Sequence, residues 1–460
     1  MLDQAGDTLT LKSTSRIIGK IDFGDLAHLG NDVLNIDNSV AINTKVSSLT
    51  SRVSVDDVLA NILNFSGKVN VTGNTAVDTG GRPFAVRDGQ AAVLDPTALS
   101  QEDRTLLDFT GGVSSAVTGR LNGSTANSSG MTAMSYAADD EVSPALGYAS
   151  AAKSGARTGE QTGAMADARA QMLTKAPAAN WNAAPITVWS SGFGGIRNQD
   201  AGDATLASRS TVAGAIIGID RRIRPDWLIG LIAGGGTGTL SVSQNSQKVD
   251  TDYVFAGAYS RFEWGAQFLD LTLQGGGTHN VSARTVLNDV GLETARASYN
   301  GWFVSPEIAY GYRLNVGNGY VLTPMARLRY LAGLLDGYSE TGSAETLSVG
   351  SRRLSNFEER GELELSHTTS FFGGDHVLKV IVHGGVIGLQ RAGAGNVSAI
   401  LIGQGLTFAT PGGNTAGGVF GVAFDYRMSG NASLFGGIEA TALADSSRTA
   451  AARGGLRVAF

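Results

Sequence analysis

From Ile186 to the end of the chain the sequence reads as about twelve successive segments with apolar residues at every second position. That period belongs to strands with two unlike faces and does not fit a helix. Leu269, Leu271 and Leu273 fall on one face, with Phe268, Asp270, Thr272 and Gln274 on the other. Further on, Trp302, Val304, Pro306, Ile308, Tyr310 and Tyr312 oppose Glu307, and Leu322, Ala326, Leu328 and Tyr330 oppose Thr323, Met325, Arg327 and Arg329. Leu363 and Leu365 oppose Arg360, Glu362 and Glu364. The connections alternate in length. Arg222 to Asp226, Glu263 to Gly265 and Ser429 to Asn431 are tight, whereas Gln199 to Ser208, Ser241 to Asp250, Gly277 to Glu293 and Ala392 to Gly417 are long. Short turns on one rim and long loops on the other are expected of a membrane β-barrel, and a soluble sandwich has no need of them.

Composition agrees. Charged residues are 17% of the chain, Gly is 63 of 460 residues, and mean hydropathy is +0.01, as expected where strands alternate apolar-out and polar-in. The longest apolar runs, Val212 to Ile219 and Trp227 to Ala233, are strand-length and far below the ~18 residues of a membrane helix. A net charge of -6 gives no basic footprint for nucleic acid. There are no Cys residues, so no disulfide would crosslink the chain in a compartment where disulfides form. Met1-Leu2-Asp3-Gln4 lacks the basic start and apolar core of a signal peptide, so the chain is expected to be a fragment or to lack its true start.

Upstream of the strands two other textures appear. Residues 1–95 carry short β-like bursts such as Thr8-Leu9-Thr10-Leu11, Val33-Leu34-Asn35-Ile36 and Lys68-Val69-Asn70-Val71-Thr72, set between turn formers like rungs of a parallel β-helix. Residues 96–185 read as a linker with two candidate pore helices, 96–121 and 153–175, the first interrupted at Gly111-Gly112.

The whole pattern resembles the carboxy-terminal translocator domain of classical (type Va) autotransporters. The matching segments are Val188 to Gly195 as first strand, Gly214 to Trp227 as second hairpin, and the ending Gly454 to Phe460. In that ending Gly455, Val458 and Phe460 resemble the assembly signal of bacterial outer-membrane proteins. The resemblance implies an all-β fold of about 12 antiparallel transmembrane strands around a lumen helix, behind the end of a β-helical passenger. It implies an outer-membrane location with the passenger at the cell surface. It also implies export of that passenger by the barrel, with barrel-assembly machinery and periplasmic chaperones as partners. Outer-membrane lipid and lipopolysaccharide would surround a monomeric barrel. Two other readings stay open: a porin-like structural barrel, and a fragment of a secreted adhesin or enzyme whose active passenger is missing.

No catalytic or metal constellation is legible and no cofactor is implied. His376 and His383 lie seven apart and so face opposite sides of one straight strand. Gly234 to Gly238 is followed by no Lys-Ser or Lys-Thr, so it is not a phosphate loop. Its glycines are expected to ease curvature or to make room for a lumen helix. Two residue sets stand out. Asp270, Glu307, Arg327, Arg329, Arg360, Glu362, Glu364 and Glu439 fall on inward faces, where they escape the ~2–4 kcal/mol that a lipid-facing Arg or Lys costs at midplane. They either knit the wall or grip the helix. Trp189, Trp227, Trp264, Trp302, Tyr312 and Tyr426 cluster at strand ends, where amphipathic rings suit a membrane interface.

Overall fold

The computed structural model describes residues 8–11, 21–22, 32–37, 62–63, 67–72, 83–87, 90–123 and 186–460, apart from 203, 289–290, 344–345, 373–374, 393–394, 411 and 429–430. The candidate helix 153–175 lies outside the described residues.

Twelve strands form the barrel: β1 (Ile186–Gln199), β2 (Ser208–Arg224), β3 (Trp227–Val242), β4 (Gln247–Trp264), β5 (Gln267–Asn288), β6 (Gly291–Tyr312), β7 (Tyr320–Leu335), β8 (Arg352–Phe371), β9 (His376–Arg391), β10 (Thr415–Arg427), β11 (Ala432–Leu443) and β12 (Ser447–Ala459). Each pairs antiparallel with the next. The sheet closes where β12 pairs with β1, with Ser447 opposite Gln199 and Val458 opposite Val188. The Phe460 amide extends that seam by donating to the Ile186 carbonyl at 2.9 Å. Closure leaves no barrel strand edge unpaired, which is the condition for a sheet to exist in hydrocarbon. Tight turns lie on one rim. At one of them Gly265 adopts φ +63, a conformation L side chains avoid.

The outward positions of β5 and β6 (Leu271, Leu273, Trp302, Ile308, Tyr310 and Tyr312) are exposed, while Asp270, Gln274, Ser305 and Glu307 between them are buried. Trp264, Tyr312 and Tyr320 are exposed on the tight-turn rim, at the ends of β4, β6 and β7. Trp302 stands toward the opposite rim, and at ~3.3 Å per residue on a tilted strand its height above Tyr312 is about 25 Å, that of an apolar belt. Trp227 and Tyr426 are half-buried near the tight-turn rim, with Trp227 stacked on Phe262 at 5.0 Å. Leu273, opposite Pro306, lies near mid-belt. Leu273→Arg is therefore expected to lower barrel stability by ~2–4 kcal/mol in a bilayer, against little change for Leu273→Val. Unfolding midpoints in lipid vesicles read this, and equal midpoints would contradict the assigned outward face.

Trp189 corrects the expectation of an interface aromatic. It is 1% exposed and points into the lumen, where its Nε1 donates to the Tyr259 hydroxyl at 2.8 Å. Gly218, opposite it on β2, leaves the space that its ring fills. The stretch 277–293 corrects another expectation. It is no loop, because β5 and β6 continue as a hairpin to Asn288 and Gly291. Beyond the lipid both faces are wet, so the alternation that marks a strand fades from the sequence. Within 392–417, likewise, Asn396–Leu401 and Gln404–Ala409 pair, and with Leu347–Val349 and Tyr338–Ser339 they make a four-stranded sheet beyond the barrel. That sheet buries Leu347, Val349, Val397 and Leu401 against Ala85, Leu94 and Leu99 of the segment leading into the barrel.

Near the amino terminus Thr8–Leu11, Asp32–Asp37 and Gly67–Thr72 pair in parallel, as do Ile21–Asp22 and Ile62–Leu63.

Candidate functional site

The lumen is the site, and one helix fills much of it. Helix α1 (Thr97–Leu121) spans 25 residues, about 37 Å at 1.5 Å per residue, enough to run from rim to rim. Its start is held on the long-loop rim. The Asp95 carboxylate accepts from the Thr97 amide at 3.0 Å and from Ser246 at 3.0 Å, and Gln247 Oε1 accepts from the Ala98 amide at 3.2 Å. Its end is held near the tight turns, where Arg261 donates to the Leu121 carbonyl at 2.5 Å and to Asn122 Oδ1 at 3.0 Å.

Gly111-Gly112 does not interrupt α1, although each Gly costs a helix ~1 kcal/mol relative to Ala. Packing explains their presence. A Cβ on Gly112 would collide with the Phe193 ring, and one on Gly111 would lie 3.1 Å from the Arg329 guanidinium. The helix sits off-centre against β1–β4, β11 and β12. Leu106, Phe109, Val113, Ala116 and Val117 form an apolar stripe facing Phe193, Val212, Ile216, Tyr253 and Phe255. Phe109 stacks on Tyr253 at 4.0 Å and meets Phe193 and Phe255 edge-on. Gly236 of the Gly234 to Gly238 run makes room for Phe109.

Ion pairs fix the helix at several heights. Near the long loops Glu102 binds Arg352, and Asp103 lies 3.2 Å from Arg391. At mid-height Arg197 donates twice to Asp108, at 2.8 and 2.5 Å. Lower down, Arg120 donates twice to Asp220, at 2.8 and 2.6 Å, with both side chains at most 3% exposed. Tyr259 also donates to Asp220 and links that pair to Trp189.

Of the charges singled out in the sequence, three touch the helix directly. Glu307 accepts from Ser114 at 2.5 Å, Arg329 donates to Thr110 Oγ1 at 2.9 Å, and Glu364 accepts from Asn122 at 3.3 Å. Asp270 acts one step away, holding Arg261 at 2.6 Å. Arg327 lies 3.8 Å from Glu307. Arg360 bridges wall groups, at 2.7 Å from Glu358 and 2.8 Å from Glu439. Among the described residues Glu362, His383 and Glu439 bring three possible cation ligands within 4.8 Å, and Arg360 is already ion-paired with both carboxylates, at 3.7 and 2.8 Å. Sequence reasoning passed over Arg197, Asp220, Arg261 and Arg352 on the wall and Glu102, Asp108 and Arg120 on the helix. For the four wall residues inward strand parity was the available signal, and it identifies no partners.

Residues 188–439 match the family model described as Autotransporter beta-domain. Outer membrane protein B of Rickettsia typhi is 28% identical over 192 residues, which cover 38% of this chain and 11% of that protein, so the chain spans only about a tenth of the length of that relative. The translocator domain of the autotransporter NalP from Neisseria meningitidis has a similar structure, with TM-score 0.48 and 19% identity over 65% of this chain and 98% of that one. The transport unit of AIDA-I from Escherichia coli gives TM-score 0.44 and 12% identity over 63% of this chain and 94% of that one.

Proposed function

This chain belongs to the autotransporter β-domain family, and from that premise we propose that α1 is the trailing end of a polypeptide exported through the pore it now fills. The barrel is an outer-membrane translocator of type V secretion. Its cargo is its own N-terminal segment, residues 1–95, with 96–185 as the linker. The direction of α1 carries the reading. It begins beside the long loops and ends beside the tight turns where β1 starts, so the segment preceding it leaves on the long-loop side. Arg197, Asp220, Glu307, Arg329 and Arg352 then act as the grip on the helix once passage is over. No ATP is needed, because rungs that stack outside cannot slide back. Barrel-assembly machinery and periplasmic chaperones deliver a single-chain barrel.

The test is protease shaving of intact cells that express this chain behind a supplied signal peptide, with an epitope tag near Gly6. Loss of the tag while the barrel stays protected is the expected result. A tag that survives until the outer membrane is broken would overturn the reading.

A further inference from the structure

At the seam where β12 meets β1 the outward face is hollow. Register sets Phe420, Ala440, Ala450 and Ile196 side by side on β10, β11, β12 and β1. One pleat nearer the tight turns, Ile438, Ala452 and Gly194 continue the row. Two alanines between large flanks leave a groove of about 440 Å³, lined almost wholly by apolar groups. One pleat nearer the long loops, register aligns Arg448, Asn198 and Arg209 on β12, β1 and β2, all three exposed. Two strand spacings put the arginine backbones roughly 10 Å apart. Neither guanidinium has a side-chain partner among the described residues, whereas Lys248, exposed on the same rim, is paired with Asp250 at 2.7 Å.

An apolar groove in the belt with two free guanidinium groups at its upper edge matches an amphiphile whose anionic head lies at the interface. A guanidinium fork fits phosphate bidentately, and such bonds are the strong ones at an interface. We propose that the β12–β1 seam binds an outer-leaflet lipid carrying a phosphate headgroup. One acyl chain lies along Ala440, Ala450 and Ala452, and the phosphate sits between Arg448 and Arg209 with Asn198 beside it. The proposal rests on the outer-membrane orientation argued above, with the long loops outside.

The experiment uses the full chain, folded in detergent micelles and incubated with diphosphoryl lipid A, and native mass spectrometry reads the retained lipid. Gel migration with and without heating checks that every variant keeps its barrel. The expected result is lipid retention that excess inorganic phosphate does not displace. Ala450→Leu, which fills the groove, and Arg448→Gln with Arg209→Gln, which strip the headgroup contacts, are each expected to cut retention about tenfold. Unchanged retention in either folded variant overturns the proposal. So does equal retention of a phosphate-free diacyl lipid, or displacement by inorganic phosphate. Micelle binding does not depend on topology in the cell, so failure here is distinct from failure of the shaving experiment.

Discussion

Asp220→Ala is expected to weaken the seating of α1 by about 3–5 kcal/mol, because it strands the Arg120 guanidinium in a site from which water is excluded. The loss comes from the unpaired charge and not from the pair itself. The double variant Arg120→Met with Asp220→Leu removes both charges at similar volume and is expected to recover most of that loss, short of the ~1–3 kcal/mol of the Tyr259 hydroxyl, which loses its acceptor. Hydrogen exchange of the α1 amides is the direct readout. Barrel amides provide the internal reference, since their ladder does not involve the helix. A single variant whose helix exchanges no faster would show that the ion pair has little part in seating α1. A double variant as loose as the single would mean that the charges themselves do the holding.

Gly112→Leu carries the second large effect. Phe193 cannot retreat from a new side chain, because its ring is packed against Phe109 on one side and fills the space above Gly214 on the other. Overpacking of a filled interior costs ~1–3 kcal/mol and more where nothing can yield, so the helix is expected to leave its seat while the barrel persists. Phe193→Ala in the same chain restores space and should recover much of the seating. Electrical recordings across planar bilayers distinguish the outcomes, with higher conductance expected for Gly112→Leu and a return toward the original level in the double variant. Equal conductance in all three would mean that the contact between Gly112 and Phe193 does not limit the position of α1.

How much could be read in advance varied along the chain. On β5, β6 and β8 the two faces meet different solvents, hydrocarbon outside and a charged lumen inside, so Leu271 and Asp270, or Leu363 and Glu362, declare their sides unaided. On β1 that contrast is gone. Trp189 and Phe193 face inward onto the apolar stripe of α1, so an apolar residue there carries no information about its side. The glycines at 111 and 112 misled for a related reason. Their helix cost is a local property, while the ring and guanidinium that need the space come from residues far away in the chain.

By itself the sequence determined about twelve alternating strands, the inward face of most of its charges, and a helical stretch over 96–121. All of these follow from periodicity and from short-range preferences that act within a few residues. Only the tertiary structure decided that α1 runs unbroken through the lumen, that Arg120 meets Asp220 and Arg197 meets Asp108, and that Arg448 and Arg209 align at the edge of an apolar groove. Those pairings depend on register between strands and on where the helix lies across the pore. Both are set by the summed packing of the closed barrel, and no local stretch of chain encodes them.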